Sequence, residues 1–367
     1  MNILIKDILG VDFSIFYSAS HLALFGQPEM VYNIDLHHSV IESVLGREAP
    51  YLLGFFYPPI FLLMIFPFAL LSYRYALFIW ILLTTSAYLF TVNKILPGKL
   101  SIMAALAFPG TLMNLLWGQN GFLTAFLLGN GILLIESNPM LSGLMFGLLC
   151  YKPHFAFLPL LVLLIGRHWK ALIWSVFFAG ASVFTSVVIF GLKTWREYLN
   201  TIPSSANLAL VEDWASVSGI QTTFYTFSRL ITDNYQLSLI IQTFVSIIII
   251  IIVCLVWRYI SSKLIRNIVL SSGILLTTPY AMQYDLVILA LPIFWYCKEI
   301  INTELLKGEF AVLLFLFFMP MINLPIVHLT HIQIAPIAVT LLLIILFRRI
   351  HCLYWPINIL KLNGSKV

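Results

Sequence analysis

The sequence predicts an all-α fold, a polytopic membrane bundle of about ten to twelve helices. Hydrophobic residues make up 61% of the 367 residues and charged residues only 10%, whereas an average soluble domain carries about 25% charged residues. So few charges cannot cover a water-exposed surface, and lipid must therefore be the solvent for most of the exterior. The mean hydropathy of +0.98 and a series of long apolar runs agree with this conclusion.

The apolar runs give the individual helices, because a hydrocarbon core about 30 Å thick needs roughly 20 apolar residues per crossing. The run at residues 139–166 is expected to break at Lys152-Pro153, since proline interrupts the helical hydrogen bonds. The candidate spans cover residues 53–72, 75–93, 100–117, 121–136, 139–166, 170–192, 236–257, 267–281, 285–297, 309–322 and 332–347.

The charges between the runs predict how the chain is divided. The tail 348–367 holds four basic residues and no acid, which is typical of a cytoplasmic segment. The long polar segments 1–52 and 193–235 are then extracytoplasmic loops, and 53–192 and 236–347 are the transmembrane modules. A membrane helix is expected ahead of residue 12 to deliver the first loop across. Lys94 and Lys99 do not fit this alternation, which predicts a re-entrant or split element within residues 100–166.

Several kinds of function are not indicated by the sequence. The basic residues form no run interleaved with aromatic residues, so nucleic acid is not a predicted partner. The four cysteines lack the spacing of metal ligands. His37 and His38 are adjacent and therefore point to different sides of a helix or strand, so no metal is predicted. No cofactor is predicted either.

Two ionisable residues lie at or near membrane depth, where a charge costs roughly 2.5–3.5 kcal/mol and is a candidate for function. Lys152 interrupts the apolar stretch 147–158. It either binds a phosphate or is satisfied locally, for instance by extending to the interface. Asp285 lies at the mouth of two predicted helices and is either a site residue or a helix cap.

Three further positions are candidates on weaker grounds. Asp12 opens the stretch Gly10–Ser20, where it is either a functional acid or a charge at a helix N-terminus. Gln119 and Asn120 separate two apolar runs, and glutamine is not a usual turn residue, so this segment is either a site or a plain turn. Tyr57 precedes two prolines that stiffen the start of a helix.

A set of short motifs follows in order along the chain from about residue 10 to residue 292. The motifs are Asp12–Ser20, Leu24-Phe-Gly-Gln-Pro28, Val31-Tyr-Asn33, Phe56-Tyr-Pro-Pro-Ile60, Phe66-Pro-Phe-Ala-Leu70, Trp117-Gly-Gln-Asn120, Gly143, Gly147, Tyr151-Lys-Pro153, Arg167-His-Trp-Lys170, Gly219-Ile-Gln221, Thr278-Pro-Tyr280 and Tyr284-Asp285. Taken together, this ordered set resembles glycosyltransferase family 87, the polyprenol-phosphate-mannose-dependent mannosyltransferases of the C-type (GT-C) superfamily.

The resemblance implies a multi-pass enzyme of the cell (inner) membrane with an extracytoplasmic active site. Its partners would be a polyprenyl-phosphate-linked hexose donor, with mannose as the expected sugar, and a lipid or glycan acceptor. Asp12 takes the position of the general base on the acceptor hydroxyl, with Asp35 in reserve. Family members carry Asp-His or His-His where this chain has Tyr284-Asp285. The expected substrate-binding residues are Tyr57, Gln119, Asn120, Lys152, Gln221, Tyr280, Tyr284 and Asp285.

Sugar transfer from a lipid phosphate also needs cations for the leaving phosphate and surfaces for the sugar. Lys152, Arg196 and Arg229 are the candidate cations, and Tyr57, Trp214 and Tyr225 are candidates for packing on the sugar. The alternatives are a transporter or flippase for a lipid-linked sugar, an O-antigen-polymerase-like protein, and a membrane scaffold without chemistry.

Overall fold

The fold is a bundle of sixteen α-helices in the part of the chain that the structure, a computed structural model, describes: residues 9–49, 54–207, 210–211 and 219–354. Helical residues make up 82% of this described part, and no β-strand occurs in it. The helices are α1 Val11–Leu24, α2 Ile34–Leu45, α3 Pro59–Ile65, α4 Tyr73–Ile95, α5 Lys99–Ala107, α6 Pro109–Trp117, α7 Gly121–Leu134, α8 Pro139–Leu149, α9 Pro153–Ile165, α10 Trp169–Asn207, α11 Phe224–Thr232, α12 Tyr235–Tyr259, α13 Lys263–Leu276, α14 Ala290–Asn302, α15 Glu309–Thr330 and α16 Ala335–Arg349.

Five helices of the described chain are long and apolar enough to cross a membrane, namely α4, α10, α12, α15 and α16 with its short continuation. A sixth crossing is possible where α5 and α6 meet at a bend of 63°. The bend follows from Pro109, because the residue before a proline avoids helical geometry and Phe108 is extended. The all-α membrane fold is therefore confirmed, although many of its helices are shorter than the predicted spans.

The predicted span at residues 53–72 is wrong. Its described part contains only α3 and the 3₁₀ turn Phe66–Leu70, and twelve residues reach roughly 18 Å as a helix. Both ends of the segment lie against α1: the Tyr57 ring is 5.8 Å from the Phe16 ring, and the Tyr17 hydroxyl donates to the Leu71 carbonyl at 2.9 Å. The segment therefore returns to the end of the bundle from which it started.

Because the segment at 53–72 turns back, Lys94 and Lys99 no longer conflict with the predicted alternation of loops. Helix α4 starts beside α1, since the Tyr73 hydroxyl donates to the Gly10 carbonyl at 2.6 Å. It ends where Lys298 of α14 donates to the Ile95 carbonyl at 2.8 Å. Lys94 thus lies together with Lys298 at the end of the bundle away from α1. We call this end of the bundle the basic end.

The basic end is held together by ion pairs that join loops distant in sequence. Glu136 contacts Lys263 at 2.6 Å and Arg266 at 3.4 Å. Arg349 and Glu309, both fully buried, are 2.6 Å apart. The Tyr296 hydroxyl donates to the same glutamate at 2.8 Å. A charge buried with a partner and hydrogen bonds is tolerated where a lone charge is not.

Close packing between α8 and α10 depends on two glycines four residues apart. A Cβ atom on Gly143 would lie 2.7 Å from the backbone carbon of Trp174. A Cβ atom on Gly147 would lie 2.9 Å from the Ala179 nitrogen and 3.0 Å from the Ser175 oxygen. Small residues let two helix backbones approach in this way inside a membrane.

We therefore expect Gly147→Ala to destabilise the protein by about 1–3 kcal/mol, the usual cost of overpacking, because the neighbour that must move is backbone. Gly180→Ala is the matched control, since Gly180 lies in α10 and a Cβ there meets nothing within 4 Å. Thermal unfolding in detergent should show a lower midpoint for the first variant only. Equal midpoints for the two variants would contradict this account of the interface.

Candidate active site

The polar residues singled out in the sequence meet at the end of the bundle opposite the basic end. Five irregular segments converge there: the start of α1, the extended residues 54–58, the break before α7, the break after α8, and residues 277–289 between α13 and α14. Irregular backbone is possible at membrane depth only where protein groups satisfy it. Much of the site is accordingly made of side chains that bond to backbone.

Asp12 lies in the first turn of α1 and is only 7% exposed. The start of this helix is fixed by the Gly10 N–H, which donates to the Leu116 carbonyl at 2.7 Å. The Asp12 Oδ2 atom accepts a hydrogen bond from Gln119 Nε2 at 3.0 Å. A carboxylate in the first turn is also favoured by the helix dipole.

The neighbouring amides are held in a defined orientation. Gln119 Oε1 accepts from the Asn120 backbone N–H at 3.1 Å, which leaves its NH₂ group directed at Asp12. Asn120 is completely buried. Within the described residues its side-chain oxygen and nitrogen have no partner with hydrogen-bond geometry, although the Tyr57 hydroxyl is close enough to interact with it. Buried amides are nearly always hydrogen-bonded in native structures, so Asn120 has unused capacity for a ligand.

Lys152 and Asp285 form a buried ion pair. Their Nζ and Oδ1 atoms are 2.6 Å apart, and the side chains are 2% and 1% exposed. The second oxygen of Asp285 accepts from the Met282 N–H at 3.1 Å. The ammonium also lies 4.8 Å from the centre of the Tyr284 ring and 5.4 Å from that of Phe155, distances at which a cation is attracted to an aromatic face.

Two tyrosines link the acids. The hydroxyls of Tyr57 and Tyr284 are 3.3 Å apart, and both Asp12 and Asp285 act on each of them electrostatically. Burial, with the two negative charges adding to it, raises the pKa of Tyr57. Its hydroxyl therefore stays protonated at neutral pH and is available as a hydrogen-bond donor.

The two remaining predicted residues have different surroundings. Gln221 is fully buried and forms an isolated β-bridge with Met282. Its backbone carbonyl accepts from the Gln333 side chain, and its own side-chain oxygen accepts from the Thr226 hydroxyl at 3.2 Å. These contacts hold the segment next to Asp285. Tyr280 is partly exposed and lies beside His154, with ring centres 6.2 Å apart.

Some secondary candidates do not join the site. Tyr225 is buried, and its hydroxyl donates to the Leu210 carbonyl at 2.5 Å, so its ring offers no face to a sugar. Arg229 donates to the Asp233 carbonyl at the end of its own helix. Arg196 and Asp35 are exposed on α10 and α2. Trp214 lies outside the described residues.

His37 and His38 separate as expected for adjacent residues of a helix. His37 is fully buried, with its Nε2 atom 3.2 Å from the Ile15 carbonyl. Burial lowers the pKa of His37 to about 4, so the imidazole is neutral at neutral pH. His38 lies instead 3.5 Å from Glu42 on its own helix.

Asn114 is a residue of the site that sequence reasoning missed. Its NH₂ group donates to the carbonyls of Tyr284 at 2.8 Å and Gly110 at 3.0 Å, and its oxygen accepts from the Gly121 N–H at 2.9 Å. It thus joins the turn that carries Gln119 to the segment that carries Asp285. The signal was a single amide within the apolar stretch 109–117.

Comparison with known proteins adds one match to this geometry. The sequence model of glycosyltransferase family 87 matches residues 55–282, which is more than half of the chain. The chain belongs to glycosyltransferase family 87. No curated protein and no solved structure matches it.

This family 87 protein is therefore a membrane glycosyltransferase, with the five or more apolar helices of a multi-pass protein. The matched segment contains Tyr57, Gln119, Asn120, Lys152, Gln221 and Tyr280. Asp12, Tyr284 and Asp285 lie outside it, and the fold brings them to the matched residues. The candidate site thus combines matched and unmatched parts of the chain.

We expect Asn114→Leu to destabilise the transferase by roughly 2–6 kcal/mol. It would leave the Gly121 N–H and the Tyr284 carbonyl unpaired in a buried site, at about 1–3 kcal/mol each. Asn93→Leu is the control, because the hydrogen bond that Asn93 accepts from the Gly98 N–H, its one side-chain bond within the described residues, is exposed. Thermal unfolding of both variants in detergent is the measurement, and an Asn114 variant as stable as the control would refute the assigned role.

Proposed function

We propose that the enzyme transfers a hexose, with mannose the expected sugar, from a polyprenyl-phosphate donor to an acceptor hydroxyl at the extracytoplasmic face, with Asp12 as general base. One observation carries the proposal. A buried carboxylate, Asp12, and a buried ammonium, Lys152, belong to the same site and are linked through the Tyr57–Tyr284 hydroxyl pair. Glycosyl transfer from a phosphate needs these two opposite charges.

The chemistry assigns each charge a separate task. The acceptor oxygen forms a bond to the anomeric carbon of the sugar while its proton passes to Asp12. The bond between that carbon and the phosphate oxygen breaks, and the prenyl phosphate leaves with the electron pair. The Gln119 hydrogen bond at 3.0 Å fixes one oxygen of Asp12 and thereby orients the base.

Lys152 is suited to the leaving phosphate. Its ammonium has three N–H donors, and within the described residues the structure gives it one protein hydrogen bond, to Asp285. Positive charge directed at the oxygen that becomes negative stabilises the transition state more than the ground state. The protonated Tyr57 hydroxyl is a further donor in the same site.

The charge distribution supports the extracytoplasmic side. Lys94, Lys263, Arg266 and Lys298 lie at the basic end, together with the start of the tail at Arg348. Cytoplasmic segments of membrane proteins collect basic residues. The site lies at the other end of the bundle. The concentration of its polar groups at one end also argues against a transporter, which needs polar groups along a path.

An apolar cavity supports a lipid donor. It has a volume of about 250 Å³ and is lined by Phe224 of α11 and by side chains of α12 and α16. The part of the cavity lined by Val245 is level with the end of α13, because the hydroxyl of the next residue, Ser246, donates to the Thr277 carbonyl at 3.2 Å. The chain leads directly from there into the segment with Asp285. We assign the cavity to the first isoprene units of the donor.

Asp12→Asn should reduce turnover by about 10²–10⁴-fold, the usual contribution of a general base, because asparagine cannot take the proton. Donor affinity should be unchanged, since phosphate and lipid hold the donor. Asp35→Asn is the matched control on the exposed surface of α2. The measurement is transfer of radiolabelled sugar by purified protein from a panel of prenyl-phosphate donors. Similar rates for the two variants would place the base elsewhere.

Ile248→Trp should fill the cavity and raise KM for long-chain donors at least about tenfold. Each methylene that loses an apolar contact costs about 0.8 kcal/mol, and two already exceed the 1.4 kcal/mol of a tenfold change. Ile247→Trp is the control, because Ile247 is exposed on the same helix and does not line the cavity. KM for a donor with one isoprene unit should be the same in both. A uniform change across chain lengths would exclude this cavity as the prenyl site.

A further inference from the structure

We infer that Asp285 is a positioning residue that keeps Lys152 protonated and in place for the donor phosphate. This inference rests on the proposed function, which assigns the phosphate to Lys152. It differs from the expectation that Asp285 itself binds substrate. It also gives Asp285 a role separate from that of Asp12.

The contacts of Asp285 are the first argument. One oxygen accepts from Lys152 at 2.6 Å and the other from the Met282 N–H at 3.1 Å. The side chain is 1% exposed. A carboxylate with both oxygens engaged by protein donors and almost no exposure is poorly placed to take a proton from an acceptor, whereas it is well placed to hold a cation.

Burial of Lys152 is the second argument. A buried ammonium without a counter-ion favours its neutral form, and buried lysines with pKa values of about 5–6 are known. A neutral amine would not attract a phosphate. The rings of Tyr284 and Phe155 favour the cation, but such contacts contribute less than a direct carboxylate. Asp285 is therefore the group that keeps Lys152 charged before the donor binds.

The third argument is the set of backbone hydrogen bonds that hold the segment around Asp285 in place. Its own N–H donates to the Met282 carbonyl at 2.9 Å, which forms a tight turn around the carboxylate. The segment is joined to residues 220–222 by the Gln283 N–H, which donates to the Ile220 carbonyl at 2.7 Å, and by the Thr222 N–H, which donates to the Ala281 carbonyl at 2.9 Å. Asp285 is thus held by backbone on both sides, as a positioning residue must be.

Few other ionisable groups face this pair in the described chain. His154 follows Lys152 by two residues and feels its charge. Tyr57, Tyr151 and Tyr284 feel the charge of Asp285, and Asp12 acts on Tyr57 and Tyr284. None of these groups contacts Lys152 as an anion. Removal of the Asp285 charge should therefore change the protonation of Lys152 more than that of any other group.

The test is the pH dependence of donor affinity, measured from pH 5.5 to 8.5 with a prenyl-phosphate mannose as the probe. A phosphodiester is used because a prenyl monophosphate titrates itself near pH 6. The wild type should show little change over this range. Asp285→Asn should bind the probe well at low pH and lose roughly tenfold in affinity per pH unit above the point where Lys152 releases its proton. Asp285→Glu should keep the wild-type profile.

A second pair of variants separates charge from structure. Lys152→Met should bind the probe weakly at every pH. Asp285→Asn combined with Lys152→Arg should recover affinity that does not depend on pH, because a guanidinium does not lose its proton in this range. Thermal unfolding at each pH identifies variants that fail to fold. If Asp285→Asn does not fold, the comparison between Asp285→Glu and the double variant decides the question.

Two results would overturn the inference while leaving the proposed function intact. One is a loss of affinity in folded Asp285→Asn that is equal at all pH values and is not recovered with arginine at position 152. The other is unchanged affinity with a lower transfer rate, which would make Asp285 a catalytic residue. Failure of the folded wild type to bind any prenyl phosphodiester would instead refute the proposed function, and the inference with it.

Discussion

The contact between Lys152 and Asp285 joins parts of the chain that are 133 residues apart. Each charge alone would cost several kcal/mol to bury. The fold must therefore bring the break between α8 and α9 to the segment before α14. Once these two are joined, α9 and α14 are fixed relative to each other. The turn that carries Gln119 is then fixed as well, since Asn114 binds the Tyr284 carbonyl next to Asp285.

A second constraint explains why the site contains so many amides. Five stretches of irregular backbone meet there, and they leave N–H and carbonyl groups without helical partners. Amide side chains satisfy several of them: Asn114 donates to the Tyr284 carbonyl at 2.8 Å and accepts from the Gly121 N–H at 2.9 Å. The Gln119 side-chain oxygen in turn accepts from the Asn120 N–H at 3.1 Å. The same helix breaks that make a site possible thus determine which neutral polar residues surround it.

Local signals in the sequence predicted local features well. Pro153 marked the break after α8, and the scarcity of charge determined the membrane class. The predicted span at 53–72 is wrong because apolar content does not reflect the effect of Pro58, Pro59 and Pro67, which leave room only for α3 and a 3₁₀ turn. Length and composition cannot distinguish a crossing from a segment that turns back.

Pairings over long distances could not be predicted from one sequence. Asp12 and Gln119 were each singled out, but their contact spans 107 residues and has no local signature. Gln221 was singled out from its motif, but its hydrogen bonds with the side chains of Gln333 and Thr226 have no local signature either. Asn114 was overlooked because a single amide in an apolar run is ambiguous. What a polar residue does depends on its partner, and the fold alone supplies that partner.

The two buried ion pairs at opposite ends of the bundle differ in how much hydrogen-bond capacity they leave unused. At the basic end, two nitrogens of Arg349 bond to Glu309, Thr303 and the Glu304 carbonyl, and both oxygens of Glu309 are bonded by protein. That pair is nearly saturated and can only hold three helices together. Lys152 forms one protein hydrogen bond within the described residues, so two of its three donors remain for a ligand. Burial alone does not separate these roles, because all four side chains are at most 2% exposed. Unused hydrogen-bond capacity does, and its presence at the end of the bundle where Asp12 lies supports the site proposed there.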